Sequence, residues 1–277
     1  MIRVRPKPRL AVIPVVMLAL LSAAAFPAWS AASAPAYTAE GLVNAATQVA
    51  SALSPNTIAT LYGANLAFST HSVSASDLRG GVLPTSLDGV TVYVGGRSAS
   101  LLYISPTQIN FLIPYELIAG TTTVVVARQG LAGPTLKIPL NSTSPGLFPW
   151  NGNYAIASHL SGAIIGPQAP AKPGEIVILY AVGLGRTVPE SSSGRVATGA
   201  ATILDLAQLQ VTIAGVAIQP KDILYAGLAP GFAGLYQVNL RMPDTLPPDP
   251  EIRLSVASQI SPPKIQLAAE PSVVAAK

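Results

Sequence analysis

The chain has 277 residues and no cysteine; 50% are hydrophobic and only 10% are charged. Without cysteine, disulfides, thiolate catalysis, sulfur-ligated metal and a lipid-modified cysteine are all excluded. The formal charge of +4 is carried by Arg3, Arg5, Lys7 and Arg9; without them twelve basic residues face twelve acidic ones. The long-range attraction to polyanions that nucleic-acid binding needs is then missing, which excludes nucleic acid as a partner.

Residues 1–30 read as a signal peptide. A basic start precedes the uncharged apolar run 10–26, and Ala28 and Ser30 supply small residues for a cut before Ala31. The run is shorter than the ~20 residues a bilayer requires and contains Pro14, so no membrane span is expected after cleavage.

The mature region then repeats itself. Ser54-Pro55-Asn56-Thr57-Ile58-Ala59-Thr60-Leu61-Tyr62 is matched by Lys172-Pro173-Gly174-Glu175-Ile176-Val177-Ile178-Leu179-Tyr180. Val92-Tyr93-Val94-Gly95-Gly96 is matched by Val211-Thr212-Ile213-Ala214-Gly215, and Leu102-Tyr103 by Leu224-Tyr225. The sharpest match sets Gln108-Ile109-Asn110-Phe111-Leu112-Ile113-Pro114 against Gln237-Val238-Asn239-Leu240-Arg241-Met242-Pro243. These pieces are short, β-branched or aromatic, and bounded by Gly, Pro or Asn, which predicts strands.

Within the last pair the period is two, so Ile109, Phe111 and Ile113 share one face while Gln108, Asn110 and Leu112 share the other. In the second copy Val238, Leu240 and Met242 oppose Gln237, Asn239 and Arg241. Gly95-Gly96 predicts a two-residue hairpin between residues 91–94 and 98–104, and Ala214-Gly215 a weaker counterpart. Further strands are predicted at 122–127 and 252–257.

Short strands without intervening helices predict an all-β chain of two tandem immunoglobulin-like β-sandwich domains. The first is expected at residues 40–141 and the second at 142–267, with a linker within 141–149 and a tail at 268–277.

The chain resembles a known family through Val43-Asn44-Ala45-Ala46, Tyr62-Gly63-Ala64-Asn65-Leu66, Leu87-Asp88-Gly89-Val90, Gln108-Ile109-Asn110 and Pro145-Gly146-Leu147-Phe148. In the second half Pro170-Ala171-Lys172-Pro173-Gly174-Glu175, Ala181-Val182-Gly183-Leu184-Gly185 and Gly234-Leu235-Tyr236-Gln237-Val238-Asn239 add to it. Together they are similar to the Solibacter-type uncharacterised C-terminal domain of exported acidobacterial proteins, over roughly residues 40–260. The resemblance implies an Ig-like fold, usually as the C-terminal part of a larger exported protein, with no established activity or catalytic residue. Ser161-Gly162 departs from the family's more frequent Asp-Gly turn.

Chemistry is sparse. His71 and His159 are the two histidines, neither stands in a catalytic motif, and G-x-S-x-G and S-x-x-K are absent, so both read as solvated loop residues. Asp244, Asp249 and Glu251 read as a solvated loop, since a calcium site needs more oxygen ligands. Gly183-Leu184-Gly185 reads as a turn because no helix pattern follows. No catalytic, cofactor-binding or metal-binding residue is expected.

The repeated polar pair Gln108, Asn110, Gln237 and Asn239 reads first as structural, its amides bonding backbone, and second as two patches for a sugar or peptide. Tyr62, Tyr180, Tyr103 and Tyr225 read as core rings with bonded hydroxyls rather than a sugar platform. The second copy holds seven extra residues between its Tyr and Gln. This makes Ala226, Gly227, Leu228, Ala229, Pro230, Gly231, Phe232, Ala233 and Gly234 the candidate binding loop.

These features predict a non-enzymatic, secreted or cell-surface module that binds or spaces envelope polysaccharide or surface protein and uses no cofactor. The alternatives are a carbohydrate-active enzyme or its glycan-binding accessory, and an adhesin that self-associates through sheet edges.

Overall fold

The computed structural model describes residues 33–191 and 193–272, which belong to one compact unit. The signal peptide expected at 1–30 and the last five residues of the expected tail lie outside the described residues. The fold is all-β, two tandem Ig-like sandwiches, with short 3-10 turns as the helical elements among the described residues.

In the first sandwich one sheet runs Ala36–Asn44, Ile58–Ala64, Gln108–Leu112, Leu101–Ile104, His71–Ser72 in spatial order. The facing sheet runs Leu136–Leu140, Gly120–Arg128, Val90–Val94, Arg97–Ser98. In the second, Gly146–Leu147, Ile176–Val182, Tyr236–Arg241, Ile223–Leu228, Thr202–Ile203 and Thr187–Val188 face Val216–Ala217, Leu209–Ile213, Ile252–Val256 and Gln259–Ile260. All of these pairings are antiparallel, as expected where each sheet has one buried face.

The predicted alternation decides which side chains form each core. Ile109, Phe111 and Ile113 are fully buried in one cluster with Leu61, Val92 and Val126. Val238, Leu240 and Met242 are buried in another with Leu179, Val211 and Leu254. The first cluster draws on residues 37–140 and the second on residues 147–269.

Both hairpin turns form. Gly95 and Gly96 have φ of 57° and 76°, Ala214 and Gly215 have 50° and 78°, so Ala214 occupies the left-handed region with a side chain.

Three expectations are corrected. The single strand expected at 98–104 is two. Arg97–Ser98 pairs in one sheet and Leu101–Ile104 in the other, while buried Ala99 and Ser100 carry the chain across the sandwich.

The expected tail is part of the second core as far as it is described. Leu267, Ala268 and Ala269 are buried, Ala269 bridges Ala171 in parallel, and Ser272 N donates to Leu246 O at 3.0 Å. Alanine's small side chain lets the backbone lie flat on the core there, a fit that composition alone does not signal.

The linker is a strap, buried from Thr143 to Leu147. Asn141 N donates to Leu53 O (2.8 Å), Ser144 Oγ to Ala52 O (2.8 Å), Thr143 Oγ1 to Val256 O (3.1 Å), and Asn44 Nδ2 to Ser144 O (3.1 Å). These bonds satisfy polar groups that burial would otherwise leave stranded, and they tie the strap to both sandwiches.

A third, smaller cluster closes the seam. Leu83 and Leu112 of the first copy meet Ala233 of the second, with Ile58, Leu102 and Val196 packed around them.

Candidate functional site: two tyrosine–amide patches

The repeated polar residues converge into two equivalent patches on outer sheet faces. In the first copy Tyr62 lies directly across from Gln108, and Tyr103 across from Asn110. In the second, Tyr180 lies across from Gln237 and Tyr225 from Asn239. Even the irregularity repeats, since the strands of Tyr103 and Tyr225 both slip register one residue before the tyrosine, at Leu102 and Leu224. Directly opposed side chains on one face are close neighbours, so each patch is a Tyr–Gln–Asn–Tyr cluster built from three adjacent strands.

Within each patch the amides pair along the strand. Gln108 Nε2 donates to Asn110 Oδ1 at 2.9 Å and Gln237 Nε2 to Asn239 Oδ1 at 3.2 Å. All four residues are half-buried. Among the described residues, Gln108 Oε1, Gln237 Oε1 and the side-chain nitrogens of Asn110 and Asn239 make no further hydrogen bond. The pair therefore orients itself and presents one acceptor and one donor group per patch to solvent.

The tyrosines are not core rings. Tyr62 is 42% exposed, with its hydroxyl donating to Gln48 Oε1 at 2.9 Å, while Tyr103, Tyr180 and Tyr225 are half-buried. The Tyr180 hydroxyl is 3.5 Å from Ser158 Oγ, and Tyr225 donates to Leu228 O at 2.9 Å. The alternation around Tyr62 carried the signal: Ala59 and Leu61 are fully buried, which sends Tyr62 to the opposite face beside Gln108.

The candidate loop is largely internal. Ala226, Gly227 and Leu228 finish the strand Ile223–Leu228 and are buried, as are Ala229, Ala233 and Gly234, leaving Pro230, Gly231 and Phe232 exposed at the tip. A Cβ on Gly234 would overlap Leu112 Cδ2, so the loop meets the first copy as closely as glycine permits. Its extra residues build the seam.

His71 begins one short strand and His159 ends another, rather than standing in solvated loops, and each meets a carboxylate. His71 Nδ1 is 3.1 Å from Asp88 Oδ2 and its Nε2 is 3.4 Å from Asp77 Oδ2. The hydrogen bond to Asp88 holds the imidazole above its usual pKa, while the Ser74 backbone N–H holds Asp77 below the usual carboxylate value. His159 pairs Nδ1 with Glu175 Oε1 and sets Nε2 3.2 Å from Ala169 O.

No serine hydroxyl is bonded to either imidazole among the described residues, and among them no group of three His, Cys, Asp or Glu could hold a metal. Asp249 accepts from the Tyr154 hydroxyl at 3.0 Å and from Ala269 N at 3.3 Å, so it braces the C-terminal segment rather than standing in solvent.

Comparison with known proteins bears on the first copy. Residues 48–143 match the IPT/TIG domain. This agrees with the Ig-like sandwich seen there. No curated protein matches the chain.

Among solved structures the chain is similar to SGBP-B of the Bacteroides ovatus mixed-linkage glucan utilization locus, solved with a mixed-linkage heptasaccharide. The identity is 12% over 79% of this chain and 43% of that one, with a TM-score of 0.30. It is also similar to the surface glycan-binding protein PbSGBP-B of Prevotella bryantii, at 13% identity over 82% and 41% with a TM-score of 0.26. The chain spans less than half the length of these structures. No helix among the described residues is long and apolar enough to cross a membrane.

Proposed function

We propose that this chain is a non-catalytic Ig-like module that works outside the cell or in its envelope and binds polysaccharide through the two tyrosine–amide patches. The observation that carries this reading is the recurrence of Tyr, Gln, Asn and Tyr at the same cross-strand positions in both copies, facing outward, with amide donors and acceptors left over. A flat ring beside uncharged donors and acceptors suits a polyhydroxylated ligand, whose C–H face packs on the ring while its hydroxyls meet the amides. Export rests on the sequence of residues 1–30.

Affinity electrophoresis of the purified protein through gels cast with neutral polysaccharides tests the proposal. The expected result is retardation by at least one glucan, reduced about tenfold in affinity by Tyr62→Ala together with Tyr180→Ala, a loss typical of removing packed aromatic faces. Retardation unchanged in a double variant of unaltered melting temperature would sink the patches as the site. Retardation by nothing would leave a spacer, a role the bonded strap also suits.

A further inference from the structure

Where the two copies meet lies a cleft of about 310 Å³, walled by Asn44 and Val49 of the first copy and by Arg253, Gln259, Ile260 and Pro262 of the second. That is the small end of the ~300–1,000 Å³ range for small-molecule sites, room for one ring with its substituents. Neither the repeat nor the tyrosine patches account for it.

Its charge comes from Arg253. On the strand Ile252–Val256, its Nε and Nη2 both donate to Ser261 O, at 3.2 and 2.6 Å, which fixes the plane of the guanidinium. Nη1 makes no hydrogen bond among the described residues, and no Asp or Glu lines the cleft. Glu251, two positions earlier on the chain, accepts from Lys264 N at 2.9 Å instead. A guanidinium held in one plane, without a counter-ion, in the wall of a cleft is prepared for a carboxylate, which can take two parallel N–H bonds from its end-on Nη1 and Nη2 pair.

The rest of the wall is uncharged. Asn141 Nδ2 donates to Gln259 Oε1 at 3.0 Å, and the apolar part is Ile260 (59% exposed), Val49 (47% exposed), Pro262 and Pro263. Paired prolines offer C–H surface and no N–H, which favours a ring lying against them over an incoming peptide strand seeking backbone partners.

We propose that this cleft binds a uronic acid unit, the carboxylate-bearing residue of an acidic polysaccharide, with Arg253 as the carboxylate's partner. The inference rests on the glycan part of the functional reading, but places a second, charge-selective subsite apart from the neutral patches.

Calorimetric titration of the purified protein with trigalacturonate and, separately, with neutral maltotriose tests it. Trigalacturonate is expected to bind, and Arg253→Ala to weaken it about tenfold or more, the usual loss for a charge-assisted hydrogen bond. Arg253→Lys should restore only part of it, since an ammonium lacks the planar fork. Ser51→Trp fills the cleft from an exposed lining position without removing an internal bond, and should abolish binding even if Arg253→Ala proves unstable.

Equal affinity for both sugars, unaffected by Arg253→Ala and Ser51→Trp, would overturn the cleft while leaving the patches standing. Stronger competition by a tripeptide with a free C-terminus would assign the cleft to peptide carboxylates and overturn the uronate. Binding of neither sugar, with neutral polysaccharide still retarding the protein, would overturn the cleft alone.

Discussion

The two copies share one design and differ where they touch. Strand register, the slip before Tyr103 and Tyr225, and the Gln–Asn pairing are the same in both. At the seam the copies part. Leu112 of the first is buried under Ala233, whereas its counterpart Arg241 is exposed.

Asn65 and Gly183, both at positive φ (57° and 73°), occupy matching places after their tyrosine strands. Asn65 is exposed and keeps a side chain, while a Cβ on Gly183 would overlap the Ser144 carbonyl. The short turn between Tyr103 and Gln108 becomes, seven residues longer, the loop that carries Ala233 and Gly234. Divergence within a tandem repeat therefore maps its interface: the copy whose position is covered takes leucine where the copy whose position is exposed takes arginine.

The sharpest way to break that comparison is at the matching turns. Gly183→Ala should destabilise the protein by about 3 kcal/mol or more, combining left-handed strain with overlap of a buried carbonyl. Asn65→Ala should cost about 1 kcal/mol, from backbone strain alone. Denaturant melts of the two variants decide it, and equal losses would mean the strap is not held against Gly183.

Next in size, Leu112→Ala should cost about 2–3 kcal/mol and speed proteolysis within residues 141–149, while Arg241→Ala should stay within about 0.5 kcal/mol. A first copy indifferent to Leu112→Ala would contradict the seam. Smallest, Ala214→Gly should raise stability by about 0.5–1 kcal/mol by relieving a side chain at positive φ. Gly95→Ala, its mirror in the first copy, should lower it, because a Cβ there would also crowd Thr122 Oγ1 at 2.9 Å and Leu117 Cδ2 at 3.0 Å. Melting temperatures moving in the same direction for both would refute the equivalence of the two hairpins.

The strands and their inward faces were legible because alternation is local: Ile109 and Phe111 declare the core whatever lies across the sandwich. The repeat itself announced two domains. Contacts between copies were not legible, since nothing near Gly234 in sequence reveals that Leu112 lies above it. Extra residues in a loop look the same whether they reach for a ligand or for a neighbouring sandwich. The alanines at 268 and 269 misled for a related reason, because a small side chain is equally at home in a tail and against a core. The patches were half legible. Gln108 and Asn110 read outward by period, but the tyrosines joined them only once strand pairing set Tyr62 beside Gln108. Arg253 gave no signal, because what distinguishes it is the lack of an acid around it in space.

A strap bonded to both sandwiches holds the two patches at one fixed separation. On a polymer whose repeat matches that interval, the second contact forms at high effective concentration and multiplies avidity without any new interaction. On a polymer out of step the same rigidity would withhold the second contact, so under the proposed glycan reading the frame would select for the ligand's period as well as its chemistry.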